Sequence, residues 1–186
     1  GAADLKERGV GERDVVVGIA ASGRTPYVIG AMEAAKAAGA KVVALVCNKG
    51  SQMEKLADIT SAPVVGPEVV MGSTRLKAGT AQKLVLNMLS TGAMIRLGKV
   101  YSNLMINMQP TNEKLVHRAV RIVQLATETE EDVAADLLAK AGQRIDVAIV
   151  MHEAGVDAEK AQELLAKTEG KVRDALAAAG ATDGAG

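Results

Sequence analysis

The feature that most constrains the fold is a repeated order of a short apolar run, a turn and a helix. Residues 14–20 form an apolar run rich in β-branched side chains, and residues 41–47 form a second one. Runs of this length, bounded by turn formers, are typical of strands buried on both faces of a parallel sheet. A third strand is predicted at about residues 59–65. The sequence therefore predicts an α/β fold with helices on both faces of a parallel sheet.

Beyond the predicted sheet the pattern becomes helical. Residues 77–97 carry apolar side chains around most of the helix circumference, as expected for a helix in a core or a subunit interface. Residues 100–108 are predicted to form another strand, and residues 130–178, rich in Ala, Glu and Lys, a compact set of short helices. Asp157 and Thr168 are predicted N-caps. We expect a sheet domain at 1–127, a small helical subdomain at 128–178 and a disordered tail at 179–186.

Composition excludes several classes of partner. The 22 basic and 22 acidic residues give a net charge of zero, and the chain has two Tyr and no Phe or Trp. It therefore lacks the charge and the aromatic rings that nucleic-acid binding uses. No apolar run approaches the roughly 20 residues that span a bilayer. With one cysteine, and with two histidines that lack further ligand spacing, we expect a cytoplasmic protein without a metal site.

The first candidate site is the loop 18–26, between the first strand and a helix. Ligands of parallel sheets bind beyond the carboxyl ends of the strands, where free N–H groups of a helix start favour an anion. Gly23 lets the backbone approach closely, and Ser22 and Thr25 add hydroxyl groups. Arg24 adds charge or points to solvent. Both a phosphate-binding loop and a turn that only needs a glycine remain open; the glycine spacing is not a dinucleotide fingerprint.

The second candidate site is the loop 66–80, again between a strand and a helix. It places two glycines, three hydroxyl groups and two cations within nine residues, which suits a phosphate or a cluster of sugar hydroxyls. The alternative is a capped helix start with incidental charge. Because both loops follow strands of one parallel sheet, they are expected to converge on one face. That convergence points to a phosphorylated small polyol as the ligand.

Several segments resemble the N-acetylmuramic acid 6-phosphate etherases, a family with the sugar isomerase (SIS) fold. The resemblance is carried by residues 15–28, 72–91, 97–101, 103–105 and 110–115. It extends over roughly residues 1–176. It implies that residues 1–127 form a SIS-type, flavodoxin-like parallel sheet that binds sugar phosphates, followed by the small C-terminal helical subdomain. The glucokinase regulatory proteins share this fold without the etherase activity.

The resemblance implies a carbon–oxygen lyase of cell-wall recycling. The family converts N-acetylmuramic acid 6-phosphate into N-acetylglucosamine 6-phosphate and D-lactate, by elimination and then water addition. A base removes the C2 proton of the open-chain sugar and an acid protonates the departing lactyl oxygen. The resemblance implies no metal or other cofactor. The two glutamates assigned as acid and base are expected upstream of Gly1, so no catalytic residue is expected in this chain and it is expected to be inactive alone.

Residue by residue, the resemblance predicts which side chains bind the substrate. They are Ser22, Gly23, Arg24, Thr25, Glu68, Ser73, Thr74, Arg75 and Lys77. The first sheet strand of the family is also expected upstream of Gly1, which leaves an exposed sheet edge. We therefore expect a homodimer or a marginally stable chain, with the helix at 78–97 as the contact. Two alternatives remain: a non-catalytic sugar-phosphate-binding regulator, and an isomerase that would use Glu113.

Overall fold

A parallel three-stranded sheet organises the first part of the chain; the computed structural model describes residues 1–181. The strands are β1 (Val15–Ile19), β2 (Lys41–Leu45) and β3 (Ile59–Ser61), hydrogen-bonded in the order β1-β2-β3. The predicted α/β fold with a parallel sheet is confirmed. The third strand is shorter than predicted, because its partner β2 ends at Leu45, opposite Ser61.

Three helices accompany this sheet, and the sequence explains where each begins or ends. They are α1 (Ala2–Glu7), α2 (Pro26–Ala37) and α3 (Gln52–Leu56). Pro26 occupies the first turn of α2, where its missing N–H costs nothing. The hydroxyl of Ser51 accepts a hydrogen bond from the amide of Glu54 and so caps α3. The buried core beneath these helices is formed by Ile29, Met32, Ala35, Ala40, Val42, Ala44, Val46 and Met53.

The long apolar helix predicted after the sheet is α4 (Lys77–Arg96). Of its residues only Ala78 is buried. Large apolar side chains are exposed along it: Leu84, Leu86, Met88, Leu89, Met94 and Ile95. The described chain divides into two compact units, one at Gly1–Leu89 and the other from Ser90 onward, so the division falls within α4. The boundary near residue 127 stays a prediction.

A short hairpin replaces the strand predicted at residues 100–108. Strands β4 (Val100–Tyr101) and β5 (Leu104–Met105) have two residues each and pair antiparallel. The prediction was wrong because the chain reverses at Ser102, whose φ of 51° places it in the left-handed region. A single strand cannot continue through such a residue. Tyr101 is buried in the core of the second unit.

Five helices follow the hairpin in the second unit, and the last four confirm the set of short helices predicted at residues 130–178. They are α5 (Glu113–Thr127), α6 (Glu131–Lys140), α7 (Ile145–Ala154), α8 (Ala158–Lys167) and α9 (Val172–Ala178). Asp157 caps α8 as predicted, by accepting the amide of Lys160 at 2.8 Å. Thr168 is not an N-cap: it ends α8, and its hydroxyl donates to the carbonyl of Leu164 at 2.9 Å. The core of this unit includes Val123, Leu138, Ile145, Ile149, Leu165 and Leu176.

The described part of the chain ends at Ala181. The disorder predicted for residues 179–186 stays a prediction, since residues 182–186 lie outside the described residues. At the described end, the amide of Ala181 donates to the carbonyl of Leu176. Within residues 1–181, no helix combines the length and the apolarity that crossing a membrane requires.

Candidate functional site

The first candidate loop packs tightly on the start of α3. Gly23 is buried and has a φ of +65°. A Cβ atom at this position would lie 2.4 Å from both Cβ and Oγ of Ser51, so only glycine fits. The carbonyl of Gly23 also accepts the amide of Met53 at 3.1 Å. The close approach predicted for Gly23 is therefore made to the protein's own chain, at Ser51.

The other residues of the first loop face outward. Arg24 and Thr25 are exposed, and Ser22 is half-buried, its hydroxyl accepting the amide of Arg24 at 3.3 Å. Thr25 is the N-cap residue of α2 but makes no side-chain cap hydrogen bond. The first turn of α2 is thus not capped by the hydroxyl of Thr25, and that hydroxyl can contact a ligand instead.

In the second loop, Glu68 and Lys77 bind the loop's own backbone. The carboxylate of Glu68 accepts the amide of Lys77 at 2.9 Å and that of Ala78 at 3.0 Å. The ammonium of Lys77 donates to the carbonyl of Pro67 at 2.9 Å. The amides of Ala78 and Lys77 hold the pKa of the Glu68 carboxyl below its usual value. Glu68 is therefore an anion that caps α4, from nine and ten residues earlier in the chain.

The remaining predicted ligand residues of the second loop lie between Glu68 and Lys77 in the sequence. Thr74 and Arg75 are exposed and Ser73 is half-buried. The amide of Ser73 donates to the carbonyl of Val70, and that of Gly79 to the carbonyl of Thr74. The backbone of this loop is thus held by its own hydrogen bonds, while hydroxyl and guanidinium groups face outward.

A small cavity of about 140 Å³ borders both loops. Its lining comes from the segments that follow the three strands and from the second loop: Ala21, Cys47, Asn48, Val64, Val65, Gly66, Glu68, Thr74 and Ala78. This volume is well below the roughly 300 Å³ of a typical ligand pocket. The cavity can therefore take only part of a sugar phosphate, and the rest must lie on the exposed loop surface.

Two residues at this cavity were not predicted as site residues. The side-chain amide of Asn48 donates to the carbonyl of Ala21 at 2.8 Å and ties the first loop to the end of β2. The thiol of Cys47 is buried, and burial first and the charge of Glu68 second raise its pKa. Both follow a predicted parallel strand at its carboxyl end, a position that could have marked them.

Two carboxylates near the start of the chain, those of Asp4 and Asp14, bind groups of the fold. The hydroxyl of Tyr27 donates to Asp4 and holds the pKa of that carboxyl below its usual value. Asp14 accepts the amide of Gly11 at 2.8 Å. Glu113, the candidate for an isomerase, is exposed at the start of α5, 3.9 Å from the ring of His117. Among residues 1–181, no three His, Cys, Asp or Glu side chains are grouped so that they could hold a metal ion.

The free edge of β1 lines a second, larger groove of about 660 Å³. Within the described chain β1 pairs only with β2, and Val15 is 62% exposed. The groove lies between this edge and the helices α1 and α2, and it is lined by Gly1, Leu5, Val16, Val17, Gly18, Val28 and Met32, among others. It combines unpaired backbone groups with apolar side chains, which is the surface that an added strand requires.

The sheet, the two loops after its strands and the helical second unit agree with what family comparison finds. Residues 2–92 match the SIS domain family. Residues 102–147 match the C-terminal lid domain of glucokinase regulatory protein. The class of protein that the fold and loops define is therefore one with a SIS domain, followed by a lid-type helical segment.

The curated relatives narrow this class. The N-acetylmuramic acid 6-phosphate etherases of Aliivibrio fischeri strain ES114 and of Klebsiella aerogenes are each 57% identical over 176 residues, which is 95% of this chain. That of Lactobacillus johnsonii is 52% identical over 172 residues, or 92% of the chain. The chain spans 58–59% of the length of these relatives. Over the part that it spans, this chain is a homologue of the N-acetylmuramic acid 6-phosphate etherases.

Proposed function

We propose that this chain provides the sugar-phosphate-binding part of an N-acetylmuramic acid 6-phosphate etherase, a carbon–oxygen lyase. The observation that carries the proposal is the 57% identity to proteins of that name over 95% of the chain. In the proposed reaction the D-lactyl ether is cleaved, giving N-acetylglucosamine 6-phosphate and D-lactate during cell-wall recycling. The proposal concerns the full-length protein; we expect this chain alone to be inactive.

The exposed groups of the two loops are the proposed ligand contacts. Ser22, Arg24 and Thr25 in the first loop, and Ser73, Thr74 and Arg75 in the second, would bind the phosphate and sugar hydroxyls. Gly23 contributes by its backbone. In support, Thr74 and Ala21, the residue before Ser22, line one cavity. The exposed side chains of Arg24, Thr25, Thr74 and Arg75 offer hydroxyl and guanidinium groups to a ligand. Guanidinium and hydroxyl groups are the donors that phosphate oxygens prefer.

The acid and the base of the proposed reaction are supplied by the part of the family protein that this chain does not span. The mechanism needs one carboxyl group to remove the C2 proton and one to protonate the lactyl oxygen. Near the start of the chain, the lowered pKa of Asp4 makes it a poor proton donor. The part of the family protein that this chain does not span would also supply a strand for the edge of β1. In support, Gly1 itself lines the groove along that edge, so a preceding segment would emerge there.

We also propose that the protein is a cytoplasmic homodimer and that α4 forms the contact. In support, α4 exposes apolar side chains such as Met88, which is 65% exposed. Lys83 and Arg96 lie on this helix, which has no acidic residue, so screening by salt should strengthen a contact between two copies of α4.

Sedimentation equilibrium at low and high salt tests the dimer. Met88→Glu should dissociate it, whereas Val133→Glu, at an exposed apolar position of α6, should not. A wild-type chain that stays monomeric at all concentrations would contradict the proposal.

The activity is tested by D-lactate release from N-acetylmuramic acid 6-phosphate. The assay compares this chain with a version extended upstream by the part that the relatives have. Activity in the extended version only is the expected result. Binding of N-acetylglucosamine 6-phosphate without any release of D-lactate would instead favour the alternative of a non-catalytic regulator. The match of residues 102–147 to the lid domain of glucokinase regulatory protein is the observation that favours this alternative. Release by neither version, with no binding, would contradict both.

A further inference from the structure

Two predicted ligand residues, Glu68 and Lys77, each bind the backbone next to the other through their side chains. The side chain of Glu68 accepts backbone N–H groups at Lys77 and Ala78, and the side chain of Lys77 donates to the backbone carbonyl of Pro67. Each residue thus binds the backbone beside the other. We call this pair of contacts, made by Glu68 and Lys77, the reciprocal clamp.

The reciprocal clamp closes a short loop around the proposed ligand groups. Its two ends are Pro67–Glu68 and Lys77–Ala78, and Ser73, Thr74 and Arg75 lie between them. Inside the loop, Gly72 has a φ of +88°, and a Cβ added there would meet nothing within 4 Å. The hydrogen bond from the amide of Ser73 to the carbonyl of Val70 and the side-chain contacts at the two ends therefore limit the conformations of this loop.

The clamp also connects the loop to the cavity. Glu68, Thr74 and Ala78 all line the cavity of about 140 Å³ beyond the ends of the three strands. The carboxylate of Glu68 is satisfied by two amides, which keep its pKa low, so it stays ionised at neutral pH and does not act as a proton donor. Its geometry is that of a support for the loop.

We propose that Glu68 and Lys77 are positioning residues, which hold the 72–76 loop in place for the ligand without contacting the phosphate themselves. The inference rests on the proposed sugar-phosphate binding. Within it, Glu68 and Lys77 support the loop instead of contacting the ligand. A loop that is ordered before the ligand binds lowers the entropy cost of binding and so raises the affinity. Loss of the clamp releases the loop, so that the ligand must order it at the expense of affinity.

The test combines calorimetry with hydrogen exchange on the whole 186-residue chain. N-acetylglucosamine 6-phosphate is titrated into the wild type, Glu68→Gln, Lys77→Met and the double variant. A charge-assisted hydrogen bond that supports a site is worth roughly a factor of ten in affinity. Each single variant should bind about tenfold more weakly, and the double variant little worse than either, because one clamp is lost in all three.

Amide exchange gives a readout that needs no ligand. In Glu68→Gln the amides of Lys77, Ala78 and Ser73 should exchange faster than in the wild type. Asp58→Asn is the matched control, since Asp58 also accepts one backbone amide, that of Val42 at 2.8 Å, but far along the chain from the loop. The control should leave both the affinity and the exchange at residues 73–78 unchanged.

Four results would overturn the proposal. Unchanged affinity in Glu68→Gln, with a lowered melting temperature, would make Glu68 a helix cap only. If the affinity losses of the two single variants added up in the double variant, and the loss in Lys77→Met depended on salt, the Lys77 ammonium would bind the phosphate directly. Unprotected amides at Lys77 and Ala78 in the wild type would remove the clamp. If the wild type bound no sugar phosphate but its clamp amides were protected, the proposed function would fail, and with it the role of the clamp in binding.

Discussion

Replacing Gly23 by alanine should strongly destabilise the sheet unit, and the structure provides the magnitude. The new Cβ would lie 2.4 Å from Cβ and Oγ of Ser51 and 3.2 Å from Cγ1 of Val46. Overpacking of this kind costs about 1–3 kcal/mol. The φ of +65° adds roughly 1–2 kcal/mol for a residue with a side chain. Any shift of Ser51 also weakens its cap on α3, so we expect a loss of about 3–5 kcal/mol.

Gly50→Ala provides the matched control. Gly50 has a similar φ of +70°, but a Cβ added there would meet nothing within 4 Å. It should therefore show only the backbone cost, roughly 1–2 kcal/mol. Urea unfolding followed by circular dichroism measures both variants against the wild type. The difference between the two variants isolates the clash with Ser51.

A second variant keeps the argument testable if Gly23→Ala does not fold. Ser51→Gly removes the two atoms of Ser51 that the new Cβ would meet at 2.4 Å and leaves the milder contact with Val46, and glycine is tolerated as an N-cap. The combined variant Gly23→Ala/Ser51→Gly should therefore regain part of the lost stability. Equal losses in Gly23→Ala and Gly50→Ala, or no recovery in the combined variant, would refute the close-packing explanation of Gly23.

Three further predictions concern single interactions. Leu165→Ala should cost about 2–5 kcal/mol in urea unfolding, because Leu165 is only 2% exposed in the second core. Asp157→Ala should cost about 1 kcal/mol by the same measurement, since it removes the cap on α8. The pKa of Glu68 is lowered from 4.5 in the fold, so its contribution is present above that pH and lost as the pH falls through the lowered value. Glu68→Gln should therefore lose less stability on acidification than the wild type.

The sheet could be predicted because its signals are local. The apolar runs of β1 and β2 are rich in valine, and glycines and a proline mark the turns and helix starts around them. The hairpin at residues 100–105 could not be predicted in this way. Its reversal depends on Ser102 in a left-handed conformation, and serine carries no strong local preference for it. The Thr168 prediction failed similarly, since its hydroxyl turned back to the preceding helix.

The two loops of the candidate site could be predicted from the sequence. The function of each residue within them could not. Gly23 contacts Ser51, 28 residues later, and Glu68 contacts amides nine and ten residues later. Contacts at such separations are decided by the path of the chain, which no local pattern contains. The sequence therefore predicts two candidate loops, and the structure shows which of their groups bind the chain itself and which face outward.

Charge along the chain gives a reason why Glu68 occupies this position. The net charge is zero, yet residues 69–112 contain five basic residues and no acidic one. Glu68 is the last carboxylate before this stretch, and it lies at the start of α4, where the helix dipole and Lys77 also favour an anion. An ionised carboxylate there stabilises the loop before a ligand binds. The remaining cations, with Arg75 exposed beside Ser73 and Thr74, keep the surface attractive to a phosphate.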